Sequence, residues 1–254
     1  MIAAKWVVGG VAAVAIGLVA RRVLAGARKP ARDMTIPEAL DVMRGYARDG
    51  VVQILDEGSG SMPRMTIGPV VAGVRHVYLD TSGETPRAKI DNLDPRFAVY
   101  LVRLDQLLAS MGVDTLGDLG ITHGGSNPDD AHNMGRALDL RFIRGPGKWS
   151  LLHGKQPIDL DVLHDWGERP ESAVGTYRLR KGDRGFNEFR AIYDFAVREG
   201  ADRCCGHASC QEGPPSTIGF ASCTLGPDHP SARLRVDHRN HFHLQAGPTT
   251  GAWA

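Results

Sequence analysis

Two short segments of this chain concentrate side chains that bind metals and move protons. One is Ala131-His132-Asn133-Met134-Gly135-Arg136-Ala137-Leu138-Asp139-Leu140. The other, roughly a hundred residues on, is Asp237-His238-Arg239-Asn240-His241-Phe242-His243-Leu244. Imidazole and carboxylate are the ligand types of a catalytic zinc, which takes three protein ligands and leaves a fourth position for water. Imidazoles at 238, 241 and 243 must share a metal, a substrate or bulk water. The isolated His76, His153, His164 and His229 read instead as satisfied core or surface residues.

Local patterning places these groups. Arg136 to Ile143 alternates and is rich in branched residues, so it reads as a strand entered through Gly135. Asp139 then projects from the strand and His132 from the loop before it. His241 and His243 are two apart, and on a strand they share one face while Phe242 and Leu244 fill the other. One strand would present imidazoles to a cleft and apolar groups to a core.

The split motif resembles the zinc peptidases of the D-Ala-D-Ala carboxypeptidase and hedgehog-like fold. It is most similar to the penicillin-insensitive murein endopeptidases and the extensin-like C-terminal domains. The family's His-x-x-Gly-x-Ala-x-Asp is matched by His132, Gly135, Ala137 and Asp139, and its His-x-x-His-x-His by His238, His241 and His243. The resemblance spans roughly residues 94–247. It implies His132, Asp139 and His243 as ligands of a Zn2+ cofactor, and His241 beside the activated water as the acid/base group. It also implies His238 as an additional imidazole near the metal, with Arg136 a further candidate for the metal site or substrate. Two positions depart from the pattern. Asn240 stands where some members carry a glutamate base, and Ile121-Thr122-His123-Gly124-Gly125-Ser126 lacks the arginine that many relatives use to bind a substrate carboxylate.

The implied chemistry is zinc-dependent hydrolysis of a peptide bond in bacterial cell-wall peptidoglycan, by an endopeptidase or carboxypeptidase. Zinc lowers the pKa of its water to about 7 and polarises a carbonyl, and a neighbouring imidazole passes the proton to the leaving amine. No Gly-x-Ser-x-Gly elbow or His-Glu-x-x-His helix offers another nucleophile or metal motif. The rival readings are a non-catalytic zinc-containing envelope protein that binds a cell-wall peptide, and a ββα-metal nuclease built around Asp237-His238. The nuclease leaves His132 and Asp139 unexplained.

Charge also opposes a nucleic-acid partner. Of 30 basic residues, six lie in residues 1–32 without an acid, leaving 24 against all 29 acidic residues in the rest of the chain. The first twenty residues are almost wholly apolar. The run Trp6 to Ala20 is short for a membrane span, which needs about 20 residues, and suits the apolar core of a signal peptide. A weak membrane anchor and a buried helix are the other readings, and Arg21-Arg22 follow at once. An exported protein, periplasmic or in the cell envelope, membrane-anchored or secreted, is expected because the implied substrate lies outside the cell. Cys204, Cys205, Cys210 and Cys223 cluster before the second histidine run. They read as two disulfides stapling a Gly/Pro/Ser-rich loop, with free thiols or a structural zinc site including His207 as alternatives.

The elements that must position the site are legible in part. Thr35-Ile36-Pro37-Glu38 has the form of a capping box, predicting a helix to about Asp49 closed by Gly50. Val51–Leu55 and Pro69–Leu79 have strand character. Asp94-Pro95 starts a helix whose Phe97, Leu101, Leu104, Leu108 and Met111 form a core stripe stopped by Gly112. A short strand is predicted over Leu119–Thr122, and a helix bearing Phe186, Phe189, Ile192, Tyr193, Ala196 and Val197 should end at Gly200. Residues 144–185 read as a loop insertion. With 31 glycines, the pattern predicts a loop-rich α+β fold, a small mixed or antiparallel sheet with helices packed on it. The expected organisation is a signal peptide or anchor at 1–20, a basic linker at 21–34 and an accessory segment at 35–90. The zinc peptidase-like domain follows at 91–247, then a tail at 248–254.

Overall fold

Capping chemistry sets the helix starts in the computed structural model, which describes residues 28–122, 128, 130–150, 154–166, 179–200, 224–225, 227 and 236–247. Helix α1 (Ile36–Arg48) opens on the expected box. Thr35 Oγ1 accepts from the Glu38 amide, and the Glu38 carboxylate accepts from the Thr35 amide at 2.7 Å. Helix α2 (Pro95–Met111) opens on Asp94, whose carboxylate accepts from the Arg96 amide, and closes on Gly112 at φ +90. A Cβ on Gly112 would lie 2.4 Å from the Gly147 carbonyl carbon, so glycine is required by both conformation and space.

Among the described residues the main sheet has eight strands. Its path runs β12 (Thr224–Leu225), β13 (Phe242–Gln245), β8 (Ala137–Gly145), β7 (Thr115–Ile121), β4 (Val74–Asp80) and β3 (Val70–Val71). The strand β5 (Gly83–Pro86) also pairs with β4, and β11 (Ile158–Asp161) with β8. Every pairing is antiparallel except β4 with β7, and α2 lies in the crossover that joins those two. A smaller antiparallel sheet holds β1 (Ile54–Asp56), β2 (Met65–Ile67) and β6 (Ile90–Leu93). The result is an α+β fold whose mixed sheet is covered by helices.

Helix α2 is the centre of the core. Phe97, Tyr100, Leu101, Leu104 and Leu108 are fully buried, and the helix packs against α1, β3, β4 and α4 (Phe186–Glu199). The apolar face of β13 joins this core through Phe242, whose ring meets Trp166 at 5.1 Å, and Trp166 meets Phe189 of α4 at 5.0 Å. Burying aromatic groups of this size is the main stabilising term at the back of the site. It also fixes which face of β13 is left for histidines. Residues 144–185, expected as a loop, include β9 (Trp149–Ser150), β10 (Gly154–Lys155), β11 and the short helix α3 (Val162–Asp165). Trp166 is therefore part of the core; His164 is exposed, and His153 lies outside the described residues.

The expected signal-anchor and its membrane partner are corrected. Among the described residues no helix is long and apolar enough to cross a membrane. The longest, α2, has 17 residues and carries Arg96, Arg103 and Asp105, against about 20 apolar residues for a span. Residues 1–20 lie outside the described residues. The expected disulfide staple is corrected too: no disulfide occurs among the described residues, and Cys204, Cys205, Cys210 and Cys223 all lie outside them.

Candidate metal centre

The first histidine sits on a loop held from three sides. Within residues 130–136, Met134 N donates to Asp130 O, Gly135 N to His132 O and Arg136 N to Ala131 O. The Asp130 carboxylate accepts from the His132 amide at 2.8 Å. From outside, Arg64 Nη1 donates to Met134 O at 2.7 Å, Asn92 Nδ2 to Asn133 O at 3.3 Å, and Asp94 N to Gly135 O at 3.0 Å. Gly135 takes φ +71, and a Cβ there would come within 2.1 Å of Asn92 O. That close approach explains why glycine leads into β8.

Asp139 is set by pairing. It lies opposite His243 of β13 on one side and Gly120 of β7 on the other. Two irregularities follow it along β8: β8 has an extra residue, Arg141, opposite the consecutive Gly117 and Asp118, and β7 has an extra residue, Leu119, between Asp118 and Gly120. Bulges of this kind re-aim side chains beside a site.

The structure brings His132, Asp139 and His243 together, with one ligand atom from each lying within 4.8 Å of the others. His132 Nε2 is 3.3 Å and His243 Nδ1 2.8 Å from the same oxygen, Asp139 Oδ1. His132 and His243 are each 7 % exposed. His241, in the extended residue before β13, points Nε2 at Asp139 Oδ1 from 3.5 Å and is not in that mutually close set. His238 lies beside it, its ring tilted at 4.9 Å from that of His241 and edge-on at 5.6 Å from that of His243. Arg136 does not join the cluster. It is 1 % exposed, its charge neighbours are Asp94, Arg96 and Arg64, and burial lowers its pKa.

Electrostatics follow from this convergence. Burial alone would raise the Asp139 pKa, but the contacts from His132 and His243 outweigh it and hold the carboxyl well below its usual range. Burial likewise opposes charging His243, yet the Asp139 carboxylate, then the Gln245 oxygen, lift its pKa above the ordinary value. Burial, with the nearby imidazoles, lowers His241 to about 4 despite the attraction of Asp139. His241 is thus a neutral ring at neutral pH.

The donor set fits a metal ion. Gln245 Nε2 donates to Gly247 O, which turns Gln245 Oε1 toward His243 Nε2 at 3.0 Å. His243 Nε2 then carries a proton, and Nδ1 faces the carboxylate. Two lone pairs 2.8 Å apart repel, so a cation must stand between them, either a proton or a metal. In a tetrahedral zinc site with bonds of about 2.0–2.2 Å, neighbouring ligand atoms stand about 3.3–3.6 Å apart. The His132–Asp139 separation of 3.3 Å already has that value, and the His243–Asp139 separation of 2.8 Å would have to open by about 0.5–0.8 Å. The Gln245 contact is the outer hydrogen bond that metal-bound imidazoles usually have. Gln245 is two residues beyond His243 on the same strand face, so the period of two could have found it. The loop contacts of Arg64 and Asn92 have no such signature.

No family model, no curated protein and no solved structure matches the chain. The site itself is a His/Asp/His cluster able to chelate a metal ion.

Proposed function

We propose that this chain is a zinc metallopeptidase of the D-Ala-D-Ala carboxypeptidase-like type that hydrolyses an amide bond of cell-wall peptidoglycan, acting in the periplasm or cell envelope. The observation that carries the reading is the meeting of His132 Nε2, Asp139 Oδ1 and His243 Nδ1, from a loop and two paired strands, with His241 beside them but outside the set. A set of three protein ligands, rather than four, would suit catalytic rather than structural zinc. Bound there, zinc supplies a Lewis acid that polarises a carbonyl and acidifies water.

The chain's own residues divide the remaining work. His132, Asp139 and His243 hold the ion, and Gln245 keeps His243 in the tautomer that offers Nδ1. His241, neutral and aimed inward through Nε2, takes the proton from attacking water and returns it to the leaving amine. His238, half-buried beside His241 and His243, is a further imidazole near the cluster for the metal or the substrate. The peptidoglycan assignment rests on the resemblance of the His132–Asp139 and His238–His243 motifs.

Asn240, where some members of the resembled family carry a glutamate base, favours one other reading: a zinc protein that binds a cell-wall peptide without cutting it. Incubating the zinc-loaded full chain with purified peptidoglycan and analysing the fragments separates the two. New amino and carboxyl termini support the peptidase. Saturable binding with no new termini supports the binding protein, and neither cleavage nor binding removes peptidoglycan as the ligand.

A further inference from the structure

The residue that replaces the family glutamate is in contact with the proposed acid/base histidine. Asn240 Oδ1 lies 2.9 Å from His241 Nδ1, on the opposite side of the ring from the nitrogen facing Asp139. An amide oxygen only accepts, so this contact requires the proton on Nδ1. The neutral ring then presents an unprotonated Nε2 to the site. With the other tautomer, Nε2–H would point at the cluster and the ring could not take a proton there.

The backbone of Asn240 is also tied down. Arg141, the extra residue of the β8 bulge, is buried, and its Nη1 donates to Asn240 O at 2.9 Å while its Nε donates to Asp161 Oδ2 at 2.9 Å. Asp161 in turn caps α3, accepting from Leu163 N and His164 N through Oδ1. One guanidinium thus links the turn before β13 to the start of α3, and Asp139 lies two residues from it along β8. The guanidinium's donors lie in a fixed planar fork, so bridging two acceptors sets their directions as well as attracting them. It holds the Asn240 carbonyl, leaving the Asn240 side chain to meet His241.

We propose that Asn240 is a positioning residue that selects the Nδ1–H tautomer of His241, with Arg141 locking the turn that carries it. This rests on the peptidase reading for its catalytic consequence, but not for the tautomer itself. The loss of a glutamate base here is compensated by giving the base role to the neighbouring ring and its orientation to the asparagine.

The test is a long-range 1H–15N correlation spectrum of the zinc-loaded full chain labelled at histidine, with His241 assigned by its disappearance in His241→Ala. The expected result is a protonated Nδ1 and a bare Nε2 in the wild type. That pattern should persist in Asn240→Asp, which keeps an acceptor, and shift toward Nε2–H in Asn240→Leu, which does not. Hydrolysis should fall about tenfold in Asn240→Leu at unchanged zinc content, the scale of one neutral hydrogen bond. A wild-type His241 protonated at Nε2, or a tautomer unchanged in Asn240→Leu, overturns the proposal. If the tautomer behaves as expected while no variant, wild type included, cleaves peptidoglycan, the peptidase reading fails and the Asn240 assignment stands.

Discussion

Two histidine–aspartate contacts in this protein have the same length and opposite characters. His76 Nε2 meets Asp105 Oδ2 at 2.8 Å, between β4 and α2, with both side chains fully buried. His243 Nδ1 meets Asp139 Oδ1 at 2.8 Å between β13 and β8, with His132 and His241 within 3.5 Å of the same oxygen. In the first pair one imidazole faces one carboxylate. Burial outweighs the attraction, and the Asp105 pKa rises. In the second, the imidazole contacts outweigh burial, and the Asp139 pKa falls. A contact distance alone therefore does not mark a site. The convergence of several donors on one oxygen does, because it makes a place for a cation that no single partner fills.

The sharpest way to break the comparison is to remove each carboxylate. Asp139→Asn should lower zinc affinity at least about 100-fold and abolish hydrolysis, since losing a ligand exceeds the 10–100-fold typical of losing an outer partner. Zinc content after dialysis against a competing chelator measures it. Next in size, His241→Ala should retain zinc yet lose about 10²–10⁴ in hydrolysis rate, the usual contribution of a positioned acid/base group. Loss of zinc in that variant would make His241 a ligand and close the site.

The buried pair should respond in a different property. Asp105→Leu, which leaves His76 Nε2 without its partner, should cost about 2 kcal/mol of stability, read from the denaturant midpoint, and leave zinc affinity unchanged. Its pH dependence has a definite sign. A carboxyl whose folded pKa is raised holds its proton more tightly when folded, so its contribution is fully present below the unfolded value, about 3.9, and is lost as pH rises through the folded value. The stability difference between wild type and Asp105→Leu should therefore move against the wild type as pH increases across that window. A flat difference would mean that Asp105 is not the titrating group. Smallest, Arg64→Ala should weaken zinc binding about tenfold by freeing Met134 O and loosening the His132 loop, as outer contacts do. The same substitution should leave the His76–Asp105 pair untouched.

The sequence made some of this visible and hid the rest for identifiable reasons. Caps and apolar stripes are local, so the starts of α1 and α2, the Gly112 stop and the Phe242/Leu244 core face could be read directly. The meeting of residues 132, 139 and 243 depends on β13 pairing with β8, which no local pattern specifies; only the resemblance pointed to it. The bulges at Arg141 and Leu119, the parallel pairing of β4 with β7 and the strands within 144–185 are likewise products of tertiary pairing. Arg136 shows how proximity in sequence misleads. It lies within the first motif yet sits among Asp94, Arg96 and Arg64 rather than with His132, Asp139 and His243. Asn240 shows the converse: as a missing glutamate it looked like a loss, and only its contact with His241 gives it a role.

The central claim is that His132, Asp139 and His243 hold one zinc ion. An anomalous difference map from crystals of the full chain grown with one equivalent of zinc, recorded at the zinc edge, tests it most directly. A single strong peak is expected about 2.0–2.2 Å from His132 Nε2, Asp139 Oδ1 and His243 Nδ1. A peak elsewhere, or a fully bound zinc that leaves Asp139 in hydrogen-bond contact with His243 as it now stands, would contradict it.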